Sequence, residues 1–96
     1  MLKELTDALL ALMQAEAARK TSESNYRSAL RRGCETIMRW KRTHSIESVE
    51  IAKAAKIGPD RVCRHIHLQG YLSSQVVSDM LKAAIHIHNA RQLPQQ

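Results

Sequence analysis

A chain of 96 residues with a formal charge of +6 and a pI near 9.8 has room for one small basic domain, not for two domains or a complete nucleotide-fed enzyme fold. Apolar residues make up 44%, too many for a disordered chain, and the charge favours an anionic partner, nucleic acid first. Tyr26, Trp40 and Tyr71 are the only aromatics, too few for the stacking platforms of sheet-based RNA modules or oligonucleotide-binding barrels.

Three glycines, two prolines and no Asn-Gly or Asp-Gly turn argue against hairpin strands and for an all-α domain over residues 1–96, with about five helices. Residues 2–20 are rich in strong helix formers, and Leu2, Leu5, Leu9 and Leu12 recur at three- and four-residue spacing. This predicts a helix with a leucine seam turned towards a partner. The stretch 19–25 (RKTSESN) admits two arrangements. As a turn, with Ser22 or Ser24 capping a second helix, it folds the first two helices into a hairpin. As helix, it makes one projecting rod of roughly 40 residues that pairs with another copy. Four of its seven residues are Thr, Ser or Asn, whose side chains compete for backbone hydrogen bonds, and this favours the break.

The second helix is expected over residues 25–42, with Tyr26, Leu30, Gly33, Cys34, Ile37 and Met38 as its apolar strip. Its other face is basic. Between Arg19 and His44 eight Lys or Arg stand against Glu23 and Glu35 alone, so this quarter of the chain carries +6, with −2 on residues 1–18 and +2 on residues 45–96. Tyr26 and Trp40 are expected in the core. Over residues 45–70 the pattern is helix, tight turn, helix. Ser45 or Ser48 caps a short helix through Val49, Ile51, Ala52 and Ala55; Ile57-Gly58-Pro59-Asp60 interrupts it; a second helix runs through Val62 and Ile66 towards Gln69, and Gly70 stops it.

The last helix, residues 74–91, spreads apolar residues over more than half its circumference, a width that predicts burial on two sides, one of them against a second subunit. The expected homodimer contacts are Leu2, Leu5, Leu9 and Leu12 on the seam and Val77, Leu81, Ala84 and His88 on the last helix. The tail, residues 93–96, is expected to fray.

The segment Ser48–His67, SVEIAKAAKIGPDRVCRHIH, resembles the helix-turn-helix of bacterial and phage DNA-binding regulators. Ile51 and Ala55 face the core, Ala52 is small where the second helix crosses, Ile57 plugs the corner and Val62 anchors the second helix. Two positions depart from the family pattern. Lys56 stands where a turn glycine is usual, and His65 where an aliphatic residue is usual, with Ile66 one place later; the pattern therefore admits two rotations of the second helix. The resemblance implies that this helix lies in the major groove with Arg61, Arg64 and His67 on base edges. Phosphate contacts are expected from Ser48, Lys53 and Lys56 on the motif, and from Arg31, Arg32, Arg39, Lys41 and Arg42 on the basic helix. The partner implied is duplex DNA, and the role that of a homodimeric transcriptional regulator in the cytoplasm of a bacterium or a phage-infected cell.

Other chemistries are poorly represented. His-Ile-His occurs at 65–67 and 86–88, but on a helix residues i and i+2 point about 200° apart, so neither pair chelates a metal. One histidine from each, such as His65 with His88, is the only combination left. Cys34 and Cys63 form no CxxC, which gives neither a disulfide framework nor a zinc ribbon and fits a reducing compartment. No phosphate-binding glycine loop, HExxH or nucleophile elbow is present, and neither catalysis nor a cofactor is expected. Glu4 and Asp7 precede the short apolar run Ala8 to Met13, so neither an export signal nor a membrane span is expected. The rival to DNA binding is a phage-encoded inhibitor or adaptor whose basic face docks on a host protein complex; RNA binding by the helix Arg27 to Arg42 is a third reading.

Overall fold

The structure, a computed structural model, describes residues 1–93; residues 94–96 of the tail expected to fray lie outside the described residues. Five helices succeed one another in chain order: α1 (Leu2–Ala17), α2 (Glu23–His44), α3 (Ser48–Ala55), α4 (Pro59–Ile66) and α5 (Ser74–Arg91). Among the described residues there is no strand, and no helix is long and apolar enough to cross a membrane.

The break between the first two helices falls inside RKTSESN. The N–H groups of Thr21 and Ser22 donate to the Ala18 carbonyl at 3.0 and 3.1 Å, turning the chain. Ser22 then caps α2, its Oγ accepting from Asn25 N–H at 3.3 Å. A serine side chain thus satisfies one of the first-turn donors that a continuous helix would have bonded internally. The two helices pack on each other as a hairpin, and no rod projects.

Helix α5 is the centre of the molecule and packs against each of the other four. This explains the width of its apolar arc within one chain: Val76, Val77, Met80, Leu81, Ala83, Ala84 and Ile87 are all buried. The expected dimer contacts are corrected accordingly. Leu5, Leu12, Val77, Leu81, Ala84 and His88 are each at most 1% exposed, inside this chain's own core. Leu2 and Leu9 are half-buried. The seam's partners are α2 and α5, because a hairpin crossed by a further helix has no apolar stripe left over. The large apolar residues exposed on α1 are Leu10 and Met13, beside the seam.

Gly33 marks the closest approach of α2 and α5. A Cβ built there would lie 2.7 Å from Val77 Cγ1 and 3.3 Å from Leu81 Cδ1, so no larger residue fits without movement.

A left-handed residue that is not glycine follows each of helices α2 to α5, directly at Ser45 (φ 55°), Lys56 (φ 59°) and Gln92 (φ 51°) and one residue beyond the cap at Leu68 (φ 57°). Each turn ties back orphan carbonyls, as when Ile46 N–H reaches Lys41 O at 2.9 Å and Ile57 N–H reaches Ala52 O at 3.0 Å. Ile46, two residues past α2, is thereby buried. These turns correct the expected capping of α3. Ser45 closes α2, Glu47 precedes α3 without a side-chain capping bond, and Ser48 is the first helical residue.

The core also encloses polar groups. Trp40 and His88 are hydrogen-bonded, and the His44 and His88 rings meet edge to face with centroids 5.4 Å apart. Thr36 Oγ donates to the Arg32 carbonyl at 2.7 Å. Near the C-terminus of α5, Arg91 pairs with Glu50 of α3.

Candidate nucleic-acid interface

Helix α4 begins at Pro59, whose fixed φ and missing N–H suit the first helical position, after Gly58 in an extended conformation. Val62, His65 and Ile66 are buried, whereas Asp60, Arg61, Cys63, Arg64 and His67 are exposed. Both candidate anchors, His65 and Ile66, therefore face inward, and the rotation left open by the pattern is settled. Arg61, Arg64 and His67, the expected base-contacting residues, lie on the outer arc.

His65 fills an aliphatic position because backbone groups satisfy both of its nitrogens. Ser73 N–H donates to Nε2 at 3.0 Å, which leaves the proton on Nδ1, and Nδ1 donates to the Arg61 carbonyl at 2.8 Å. The same serine caps α5, its Oγ accepting from Val76 N–H at 3.4 Å. One imidazole thus joins the first turn of α4 to the start of α5. This geometry also removes His65 from any metal site with His88, whose Nδ1 is taken by Trp40. Among the described residues no three His, Cys, Asp or Glu side chains cluster as a metal site would require.

Helix α4 stops at Ile66, short of the glycine expected to end it. Leu68 takes the left-handed position itself, with its N–H on His65 O at 3.0 Å and Gln69 N–H on Arg64 O at 2.8 Å. Gly70, at φ 73°, makes a second left-handed turn two residues later. Tyr71 is held at the apex of this connection and is 81% exposed, whereas Tyr26 and Trp40 are in the core.

This loop brings the two basic elements together. A cleft of about 390 Å³ has Arg27 and Arg31 of α2 on one side and Gly70, Tyr71 and Leu72 on the other. A neighbouring one of about 280 Å³ lies between Arg61, Arg64 and Gln69 and the same Gly70 and Tyr71. Arg31, Arg61 and Arg64 make no ion pair among the described residues. Glu23, the one carboxylate on the rim, is shared by Arg19 at 3.4 Å and Arg27 at 3.6 Å. Arg19 also covers the Tyr26 ring, 4.5 Å from its centroid.

The remaining expected phosphate contacts are dispersed. Arg32 and Arg39 project roughly a quarter turn around α2 from Arg31. Arg32 borders a groove against α1, lined by Gln14 and Ala18, and Arg39 donates to Thr36 Oγ at 3.4 Å. Lys41 is half-buried, Arg42 is exposed, Ser48 is half-buried at the start of α3, and Lys53 and Lys56 are exposed on α3 and at its corner with α4. The sequence pattern alone missed Tyr71, which borders both clefts, and Arg27, which rims the larger of the two. The available signal was an aromatic set directly after a glycine in a loop, where no core face calls for one.

No family model matches this chain, and no curated protein or solved structure matches it.

Proposed function

We propose that the protein binds duplex DNA with α4 as its recognition helix and acts as a homodimeric transcriptional regulator. The observation that carries this reading is the facing of α4: Val62, His65 and Ile66 hold it to the core while Arg61, Arg64 and His67 stand in solvent. A helix held in this way can lay its outer residues in a major groove, where Arg61 and Arg64 reach guanine O6 and N7 and Asp60 accepts from cytosine N4. Arg27 and Arg31, on the other side of Tyr71 from Arg61 and Arg64, then meet phosphates. Two half-sites about 34 Å apart call for two copies. With the leucine seam consumed inside the chain, the surface for pairing centres on Leu10 and Met13.

Selection from a random duplex pool tests the reading. Wild type enriches a motif; Arg61→Ala and Arg64→Ala lose the preference. Arg31→Ala weakens binding to all duplexes and reduces the salt slope by about one. Light scattering reports a dimer that Leu10→Lys with Met13→Lys separates. No salt-dependent binding to any duplex would overturn the reading and leave an acidic protein surface as the partner of the basic face.

A further inference from the structure

Of Tyr26, Trp40 and Tyr71, only Tyr71 is placed in solvent by the fold, at 81% exposure. It contributes little to the core, since a buried tyrosine would remove about 150–250 Å² from water and this one does not. Its backbone is nevertheless well held. Gln69 N–H bonds Arg64 O at 2.8 Å on one side, and on the other Ser73 N–H bonds His65 Nε2 at 3.0 Å. A ring presented on a loop fixed at both ends loses little further freedom when a ligand covers it.

The surroundings define what could cover it. Tyr71 stands between the two clefts and borders both. Tyr26, Leu30 and Leu72 supply apolar surface to the larger one. Arginines rim both, Arg27 and Arg31 on the α2 side and Arg61 and Arg64 on the α4 side, with Glu23 already engaged by Arg19 and Arg27. A flat apolar face next to charges for two or more anionic groups matches one nucleotide within a polynucleotide: the base provides a π-face and the flanking phosphates provide the charge. A fully paired duplex offers no such face, because its bases are stacked on one another. An unpaired base does.

We infer that the Tyr71 cleft holds an unpaired nucleotide of a DNA strand, its base stacked on the Tyr71 ring and its flanking phosphates on Arg27 and Arg31, beside the segment whose base edges Arg61 and Arg64 read. The site rests on the reading of this protein as a DNA binder and adds a preference for DNA with a bulged or frayed base beside the segment contacted by α4.

Three duplexes of one sequence test it by fluorescence polarisation: fully paired, with one bulged thymine, and with a bulged abasic residue in its place. Wild type is expected to bind the bulged thymine roughly 5- to 100-fold more tightly than the abasic bulge, the range that stacking one base on an aromatic supplies. Tyr71→Phe retains this ratio and Tyr71→Ala abolishes it. Because a ratio is read, a change in overall affinity cancels. Arg31→Ala weakens binding to all three probes and preserves the ratio. Circular dichroism and thermal melting check that the Tyr71 variants are folded.

Equal affinity of wild type for the two bulged probes, or a ratio that survives Tyr71→Ala, overturns the inference while binding to the paired duplex leaves the general reading intact. A preserved thymine preference without binding to the paired duplex overturns the duplex reading alone. Binding to none of the three overturns both.

Discussion

Across the α2–α5 interface, Trp40 Nε1 donates a hydrogen bond to Nδ1 of His88 at 3.1 Å. The bond requires an unprotonated Nδ1, so the form of His88 that fits this core is the neutral ring with its proton on Nε2. Burial first, then the neighbouring His44 and the N-terminal ammonium of Met1, push the His88 pKa below its ordinary value of 6.5.

Stability should therefore depend on pH. The unfolded chain protonates His88 near 6.5, the folded chain only at lower pH. Stability is full above about pH 6.5 and declines as the pH falls between the two values. Urea unfolding tracked from about pH 8 down to about pH 5 should show the midpoint falling on the acid side. His88→Asn, which offers the indole an acceptor but does not titrate, should flatten that limb; an unaltered limb would assign it to other groups.

The close approach at Gly33 gives a second prediction. Gly33→Ala improves helix propensity but drives a Cβ to 2.7 Å from Val77 Cγ1, and a valine in a helix has little rotamer freedom with which to yield. The net effect should be a loss of about 1–3 kcal/mol, or roughly 5–20 °C in melting temperature. Combining it with Val77→Ala should cost less than the sum of the single changes. Additive losses would show that the crossing is not the cause.

Lys56 combines strain with charge. Its left-handed conformation, φ 59°, costs a lysine more than a glycine. Lys56→Gly should raise stability by about 1 kcal/mol in denaturant unfolding. If Lys56 meets a phosphate, the same substitution should reduce the slope of log affinity against log salt by about 0.9.

The two thiols should separate cleanly. Cys34 is fully buried and its pKa is pushed up to about 12, chiefly by burial, so it presents almost no thiolate at neutral pH. Cys63 is exposed on α4. Mass spectrometry should find one maleimide per native chain, on Cys63, and two in denaturant. A bulky label at Cys63 should block duplex binding, and binding at full strength by the labelled protein would count against α4 as the reading helix.

The five helices were legible because their signals are local: the cap at Ser22 within RKTSESN, proline at the start of α4, and apolar spacing throughout. Packing partners were less so. A leucine seam and a wide apolar arc require burial without naming what buries them, and the same pattern serves a second subunit or, as here, the other helices of one chain. His65 could not be placed from sequence because its fitness for the core depends on Arg61 O and Ser73 N–H, groups supplied by two different segments. The outward set on α4 was readable from periodicity. Its junction with Arg27 and Arg31 through Tyr71 was not, since that contact is made by a loop reversing twice, once at a leucine that no propensity rule would choose.

The central position of α5 bears on how the chain is synthesised. Ser74–Arg91 is the last of the five helices to leave the ribosome, and each of the others completes its burial against it. Until it arrives, the apolar faces of the helices that pack on it lack their final cover, so a nascent chain stalled before Ser74 presents open apolar surface to chaperones and proteases. Premature termination in that stretch would remove the whole protein and not only its last helix.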